Sequence, residues 1–148
     1  VQHGRDARAV ECRRRKDFMS SQLIQFALVG HCVPDSSYLT ITIQKAIPGA
    51  KVMRATDDAN VERAISEGAL LLVNRQMEPG YADSNGNQYI RRLVKKHPGV
   101  RLMLISNYAQ CQAQAVSDGA FAGFGKDHLN KPETAQKIRE AARAPVAP

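Results

Sequence analysis

Two hydrophobic patterns alternate along this chain between Leu23 and Ala142. Short apolar runs, which are typical of buried β-strands, are each followed by a segment in which apolar residues recur every three or four positions, as on one face of an α-helix. The runs predict strands at residues 23–29, 51–55, 70–73, 100–105 and 122–124. The helices between and after them are predicted from apolar positions at Leu39, Ile43, Ala46, Ile47, Val61, Ala64, Ile65, Ile90, Leu93, Val94, Ala109, Ala113, Val116, Ala135, Ile138 and Ala142.

This series of strand–helix pairs predicts a parallel sheet, because parallel strands are joined by crossover connections that are almost always right-handed. Residues 70–73 are apolar at every position, which indicates a strand buried on both faces. We therefore expect an α/β fold in which a five-stranded parallel sheet is doubly wound and lies between two layers of helices. In such a sheet the functional crevice lies at the carboxyl ends of the strands. The first four helices are predicted to end at Gly49, Gly68, Gly99 and Gly119.

The composition is that of one globular domain: 148 residues, 43% of them hydrophobic, are enough to bury a core. We expect this domain at residues 23–143, after a disordered basic leader at 1–22 and before a tail at 144–148 that frays. The net charge is +7, but residues 1–18 alone hold six Lys and Arg against three Asp and Glu. The predicted domain is therefore only mildly basic, and nucleic-acid binding through the leader is a less favoured alternative.

The lengths of the apolar runs and the spacing of the cysteines indicate the cellular compartment of the protein. No apolar run approaches the roughly 20 residues that a membrane-spanning helix needs, so no membrane association is expected. Three cysteines without CxxC spacing do not suggest a disulfide framework. We therefore expect free thiols and a cytoplasmic protein.

Five polar side chains follow the predicted strands. His31 and Cys32 come after the first strand, Asn74 after the third, Ser106 after the fourth and Lys126 after the fifth. Because parallel strands end at the same edge of the sheet, these residues are the candidate site.

Several strings around these positions are similar to those of a known family. Residues 74–79 (NRQMEP) follow the third strand, 104–107 (LISN) end the fourth, and 117–120 (SDGA) and 123–126 (GFGK) flank the fifth. Together with the order of the elements, they resemble the receiver domain of bacterial two-component response regulators. The resemblance implies a flavodoxin-like, three-layer fold across nearly all of the predicted domain.

The same resemblance also marks where this chain departs from the family. Receivers accept a phosphoryl group on an aspartate at the position of Asn74, and a carboxylate pair that helps to hold Mg²⁺ corresponds to His31 and Cys32. Magnesium requires hard oxygen ligands, usually carboxylates among them. Gly123 stands where receivers carry a switch aromatic. We therefore expect an atypical receiver that is not phosphorylated and has no metal, no cofactor and no catalytic residue. Its degenerate phosphoacceptor pocket would comprise His31, Cys32, Asn74, Ser106 and Lys126.

Lys126 needs a structural explanation if no phosphate is bound. We expect its ammonium group to donate to the amide oxygen of Asn74 and the hydroxyl of Ser106. With no acidic partner in view, its charge would be costly to bury, so we expect it to be partly solvated. Asn107 is predicted to cap the fourth helix.

Two further features allow both a functional and a structural interpretation. His31 and Cys32 are of the types that bind zinc or copper, but a structural zinc site needs four ligands and no third is evident. In the polar loop at 78–87, Glu78 and Asp83 would be able to approach the site, although solvated acids are the favoured interpretation.

The third predicted helix carries a basic face. A solvated face is the favoured interpretation, and an acidic partner or nucleic acid is the alternative. The residues concerned are Arg91, Arg92, Lys95 and Lys96.

The favoured function is a stand-alone signalling module that is not an enzyme and acts through protein–protein contacts. By resemblance, a homodimer or a protein partner would use the face made by the fourth helix, the fifth strand and the fifth helix. The small or apolar residues on that face are Ala109, Ala113, Phe121 and Ala135. The alternative is a flavodoxin-like small-molecule binder or enzyme that uses the strand-end crevice, with Ser36 and Ser37 near a phosphate.

Overall fold

The computed structural model describes residues 24–144. The predicted leader at 1–22 lies outside the described residues, as does the predicted tail apart from Ala144. Within 24–144, no helix has both the length and the apolar character that crossing a bilayer requires.

Five strands and five helices alternate along the described chain. The strands are β1 (Gln25–Val29), β2 (Lys51–Ala55), β3 (Leu70–Asn74), β4 (Leu102–Ile105) and β5 (Phe121–Phe124). The helices are α1 (Val33–Ala46), α2 (Asp58–Ser66), α3 (Gly86–Lys96), α4 (Ala109–Ser117) and α5 (Pro132–Arg143), with a 3₁₀ turn at Lys126–His128. All strand pairs are parallel and the strand order is β2-β1-β3-β4-β5. The predicted fold class is confirmed.

The sheet separates two apolar layers. Val73 and Leu104 face the layer that contains α2 and α3, whereas Leu72 and Ile105 face the layer that contains α1 and α5. Residues 70–73 of the central strand β3 are all fully or almost fully buried. Their uniformly apolar sequence follows from this position, because both faces of the strand are covered by helices.

The start of α4 differs from the prediction. Tyr108 occupies the N-cap position and makes no side-chain capping bond, so the prediction that Asn107 caps this helix was wrong. Instead, Asn107 Oδ1 accepts a hydrogen bond of 3.1 Å from the backbone N–H of Asp127. A side chain at Gly125 would collide with Asn107, so the absence of one there allows this link between the loops after β4 and β5.

Candidate functional site

The carboxyl ends of the strands border an open cleft of about 780 Å³. Three of the predicted site residues, Asn74, Ser106 and Lys126, line it, and His31 and Cys32 are not among its lining residues. The structure therefore brings together part of the predicted pocket.

Lys126 has an acidic partner, which corrects the prediction that it has none. Its Nζ lies 2.6 Å from Oδ2 of Asp35, in the first turn of α1, and 3.3 Å from Oδ1 of Asn74. The hydrogen bond from Lys126 is the main reason that the pKa of Asp35 is lowered, and a hydrogen bond from the Cys32 thiol acts in the same direction. The Lys126 and Asp35 side chains are 28% and 36% exposed, so the expected partial solvation of Lys126 is observed.

Asn74 uses both ends of its amide. Its Nδ2 donates to the backbone carbonyls of Gly30, at 3.1 Å, and Gln76, at 2.7 Å, and its Oδ1 accepts from Lys126. A carboxylate in the same orientation would place an anionic oxygen against two carbonyl oxygens. The local hydrogen bonding therefore favours an amide at this position over an aspartate.

Ser106 does not receive the predicted hydrogen bond from Lys126. Its Oγ accepts from the backbone N–H of Tyr108, two residues further along the chain, at 3.1 Å. Ser106 therefore shapes the loop that leads into α4.

His31 is buried beneath the loop that follows β1, with only 3% of its surface exposed. Burial lowers its pKa from 6.5 to about 4, so the ring is neutral at physiological pH. Its Nε2 then donates to the carbonyl of Leu72, at 2.9 Å. Nδ1 is buried and has no hydrogen-bond partner among the described residues.

Cys32 is the half-buried N-cap residue of α1. Within residues 24–144, no three His, Cys, Asp or Glu side chains converge closely enough to hold a metal ion.

The loop between β3 and α3 is fastened to the ends of β1 and β2, which sequence reasoning missed. The hydroxyl of Tyr81 accepts from the N–H of Gly30, at 3.0 Å, and donates to the carbonyl of Ala55, at 2.5 Å. The Tyr81 ring packs edge-on against Tyr89, whose hydroxyl donates to Asp58. The one sequence signal of these Tyr81 contacts is the presence of a tyrosine within an otherwise polar loop.

The two loop acids lie in different places. Asp83 pairs with Arg92 of α3, with 2.7 Å between Oδ2 and Nε, and is not part of the site. Glu78 is exposed and lines the cleft.

Most of the basic face of α3 is paired within the chain. Besides Arg92, Arg91 lies 3.4 Å from Asp118, and Lys96 lies 2.8 Å from Glu62. These pairs reduce the positive charge that α3 presents to an acidic partner.

Arg75 and Tyr108 form a second pair that sequence reasoning missed. The Arg75 guanidinium carbon lies 4.7 Å from the centroid of the Tyr108 ring, and both residues line the cleft. The two residues follow different strands, and only the order of β3 and β4 in the sheet makes them neighbours.

Gly123 stands at a crowded point between β4 and β5, where the pairing of the two strands is irregular. A Cβ atom at this position would collide with the backbone carbonyl of Leu104. The side chain of Gln112 bridges the irregularity: the two N–H groups of its Nε2 are shared among the carbonyls of Leu104 (2.9 Å), Ser106 (3.0 Å) and Phe124 (3.3 Å). Its Oε1 accepts from the N–H of Gly123, at 3.2 Å. The carboxamide of Gln112 thus lies against Gly123, the position at which the resemblance implies an aromatic residue in receivers.

Comparisons place this geometry in a fold family. The sequence matches neither a protein-family model nor a curated protein. The structure is similar to a putative response regulator from Chloroflexus aurantiacus, with a TM-score of 0.63, 14% identity and coverage of 82% of this chain and 98% of that chain. It is also similar to the signal receiver domain of a DNA-binding response regulator from Colwellia psychrerythraea, with a TM-score of 0.61, 17% identity and coverage of 82% and 99%.

A third similar structure is the beryllofluoride-activated NtrC4 receiver domain dimer, with a TM-score of 0.57, 16% identity and coverage of 80% of this chain and 95% of that chain. At these identities the similarity establishes the fold. The resemblance found in the sequence strings is confirmed at that level: this chain has the fold of a response regulator receiver domain.

Proposed function

We propose that this chain is a receiver-like signalling module that acts through protein contacts, is not an enzyme, and does not accept a phosphoryl group at Asn74. The observation that carries the proposal is the hydrogen bonding of Asn74. Its Nδ2 donates to the carbonyls of Gly30 and Gln76, and its Oδ1 accepts from Lys126. A neutral amide held in this way has no anionic oxygen with which to attack phosphorus.

The charges beside Asn74 support the proposal. Phosphoryl transfer depends on cations that neutralise the phosphate oxygens. Lys126, the cation next to Asn74, is already bound to the carboxylate of Asp35. An incoming phosphate would compete with this internal ion pair.

The loops around the site also favour a single conformation. Gln112 joins β4 to β5 through hydrogen bonds from its Nε2 to carbonyls near both strands and from the Gly123 N–H to its Oε1. Asn107 links the loop after β4 to Asp127, and Tyr81 fastens the loop after β3. Moving any of these loops would leave polar groups without partners, which costs about 1–3 kcal/mol for each group that stays buried.

The contact surface that we propose is the outer face of α4 with β5 and α5. Helix α4 carries no charged side chain, and Ala109, Ala113 and Val116 are exposed on it. Phe121 and Ala135 of the originally predicted face are partly buried against the core and contribute less. The NtrC4 receiver domain is described as a dimer, and we propose self-association of this chain as the first possibility to test.

Incubation with acetyl phosphate and Mg²⁺, followed by intact-mass measurement, tests the chemistry. A receiver domain that carries the aspartate is treated in parallel to verify the reagent. We expect an adduct on that receiver and none on this chain. A covalent phosphate on this chain would overturn the proposal.

Sedimentation over a range of concentrations tests the surface. We expect the wild-type chain to dimerise and Ala113→Glu to remain monomeric. Gln44→Glu, at an exposed position of α1, is the matched control and should behave as wild type. If Ala113→Glu and wild type sediment alike at every concentration, the outer face of α4 is not the dimer interface.

A further inference from the structure

Arg75 lies at the wall of the strand-end cleft without an acidic partner. Its guanidinium carbon lies over the ring of Tyr108, 4.7 Å from the centroid, and the side chain makes no hydrogen bond or ion pair within the part of the chain that the structure describes. The contrast with α3 is clear, because Arg91 and Arg92 are each paired with a carboxylate. Arg75 is half-buried, so the residue is partly covered by the fold.

The cation–π contact with the Tyr108 ring restrains the Arg75 guanidinium. A planar guanidinium presents parallel N–H donors that match the two oxygens of a carboxylate or phosphate. Because Tyr108 already holds the group, less side-chain freedom is lost when an oxyanion binds. The Tyr108 side chain itself is 59% exposed, so it leaves ring surface open to a ligand.

The cleft is large enough for an organic ligand. Its volume of about 780 Å³ lies within the range of roughly 300–1,000 Å³ that is usual for small-molecule sites. Pro79 adds exposed apolar surface to its lining, whereas Met77 and Ile105 line it but are only 7% and 1% exposed. A ligand with a compact apolar part would therefore find surface to contact beside Arg75.

The surrounding charges decide which anion fits. Lys126 is bound to Asp35, so the second cation of the cleft is already neutralised. Glu78 and Asp127 line the same cleft and are exposed. These two carboxylates repel a phosphate or polyphosphate, which carries two or more negative charges, more strongly than a singly charged carboxylate, which Arg75 alone can balance.

We propose that this cleft binds a single carboxylate carried beside an aromatic or aliphatic group. The Arg75 guanidinium holds the carboxylate, and the apolar part lies against the exposed residues Tyr108 and Pro79. The site is additional to the proposed signalling function and does not depend on whether Asn74 is phosphorylated. A free organic acid and the C-terminus of a peptide present the same chemistry.

Titration of the full chain, followed by backbone amide NMR, tests the proposal with matched pairs of probes. Phenylacetate is compared with phenylacetamide, and N-acetyl-Gly-Phe with a free carboxylate is compared with its C-terminal amide. We expect saturable shifts at residues 74–78 and 106–108 for a carboxylate. The matching amide should bind about ten-fold more weakly or worse, the size expected for a lost charge-assisted hydrogen bond. The tighter of the two carboxylates identifies the source.

Variants test whether Arg75 is the residue that binds the carboxylate. Arg75→Gln should weaken binding about ten-fold or more, and Arg75→Lys should fall between it and wild type because lysine lacks the planar fork. Arg91→Gln, outside the cleft, should bind as wild type does. Equal binding of acids and amides, no saturable binding, or an Arg75→Gln variant that binds as wild type would each overturn the proposal. Tighter binding of adenosine monophosphate than of either carboxylate would also overturn it. The acid–amide comparison on the wild-type chain remains decisive if a variant fails to fold.

Discussion

Lys126 and Asp35 form an ion pair of 2.6 Å that joins the end of β5 to the first turn of α1. The two residues are 91 positions apart in the sequence. The pair supplies the anion that Lys126 would otherwise lack, and it does so from a helix rather than from a strand end. Lys126 is thereby neutralised within the chain and also holds the amide of Asn74.

Replacing Asp35 by Asn should lower the free energy of unfolding at pH 7 by about 0.5–1 kcal/mol, the usual size for a partly exposed ion pair. Because Lys126 lowers the pKa of Asp35 in the folded state, the contribution is present above the ordinary pKa of 3.8. This stabilisation is lost as the pH falls through the lowered pKa that Asp35 has in the folded protein, because the Asp35 carboxylate of the unfolded chain binds a proton more readily. Urea denaturation at neutral and acidic pH measures the difference. Asp127→Asn, at the same cleft but outside any ion pair among the described residues, is the control; an equal loss in both variants would contradict the assignment.

His31 should make the protein less stable in mild acid. Its pKa is about 4 in the folded protein and 6.5 ordinarily, so between these values the unfolded chain takes up a proton that the folded protein does not. The free energy of unfolding should therefore fall as the pH is lowered through this window, by an amount on the order of 3 kcal/mol if the shift is realised in full.

A pair of histidine variants isolates this effect. His31→Gln should flatten the dependence of stability on pH between 6.5 and 4, because glutamine keeps an N–H donor and does not titrate. His128→Gln changes an exposed histidine and should leave the dependence as it is. If the unfolding free energy of His31→Gln still falls with pH as it does in wild type, groups other than His31 cause the pH dependence.

Gln112 should stabilise the junction of β4 and β5. Removing its side chain in Gln112→Ala leaves the Gly123 N–H and nearby carbonyls short of partners, which should cost about 1–3 kcal/mol. Gln114→Ala, on the same helix, loses only a surface contact with Asp118 and should change stability by about 0.5 kcal/mol or less. Thermal or urea unfolding compares the two. A Gln112→Ala variant as stable as Gln114→Ala would rule out the bridging role.

The Tyr81 hydroxyl should hold the loop after β3 closed. Tyr81→Phe removes one acceptor and one donor at the ends of β1 and β2, at a cost of about 1–3 kcal/mol. Amide exchange at Gly30 should become faster, because its N–H loses its partner. Tyr38→Phe, at a residue that is 63% exposed, is the control. Unchanged exchange at Gly30 would mean that the ring alone anchors the loop.

The architecture was predictable because its signals are local. The alternation of apolar runs and helical spacing predicted all five strands, and the uniformly apolar residues 70–73 indicated the central strand β3. The carboxyl-end rule placed Asn74, Ser106 and Lys126 at one end of the sheet, and in the structure all three line one cleft.

The remaining parts of the site depend on contacts between residues that are far apart in the sequence, and the local sequence pattern does not predict such contacts. Asp35 lies in the first turn of α1 rather than directly after β1, so a search confined to strand ends missed it. Arg75 meets Tyr108 only because β3 and β4 are adjacent. The role predicted for Asn107 failed because a competing N–H, that of Asp127, is close to it in the fold.

Beryllofluoride, a phosphoryl mimic, tests the central claim most directly. Amide NMR spectra of the full chain are recorded with Mg²⁺ before and after beryllofluoride is added. We predict that the signals of residues 74–76, 106–108 and 123–126 do not move, because Asn74 offers no anionic oxygen and Lys126 is bound to Asp35. Saturable, Mg²⁺-dependent shifts at those residues, extending to α4, would show a working phosphoacceptor pocket and contradict the account.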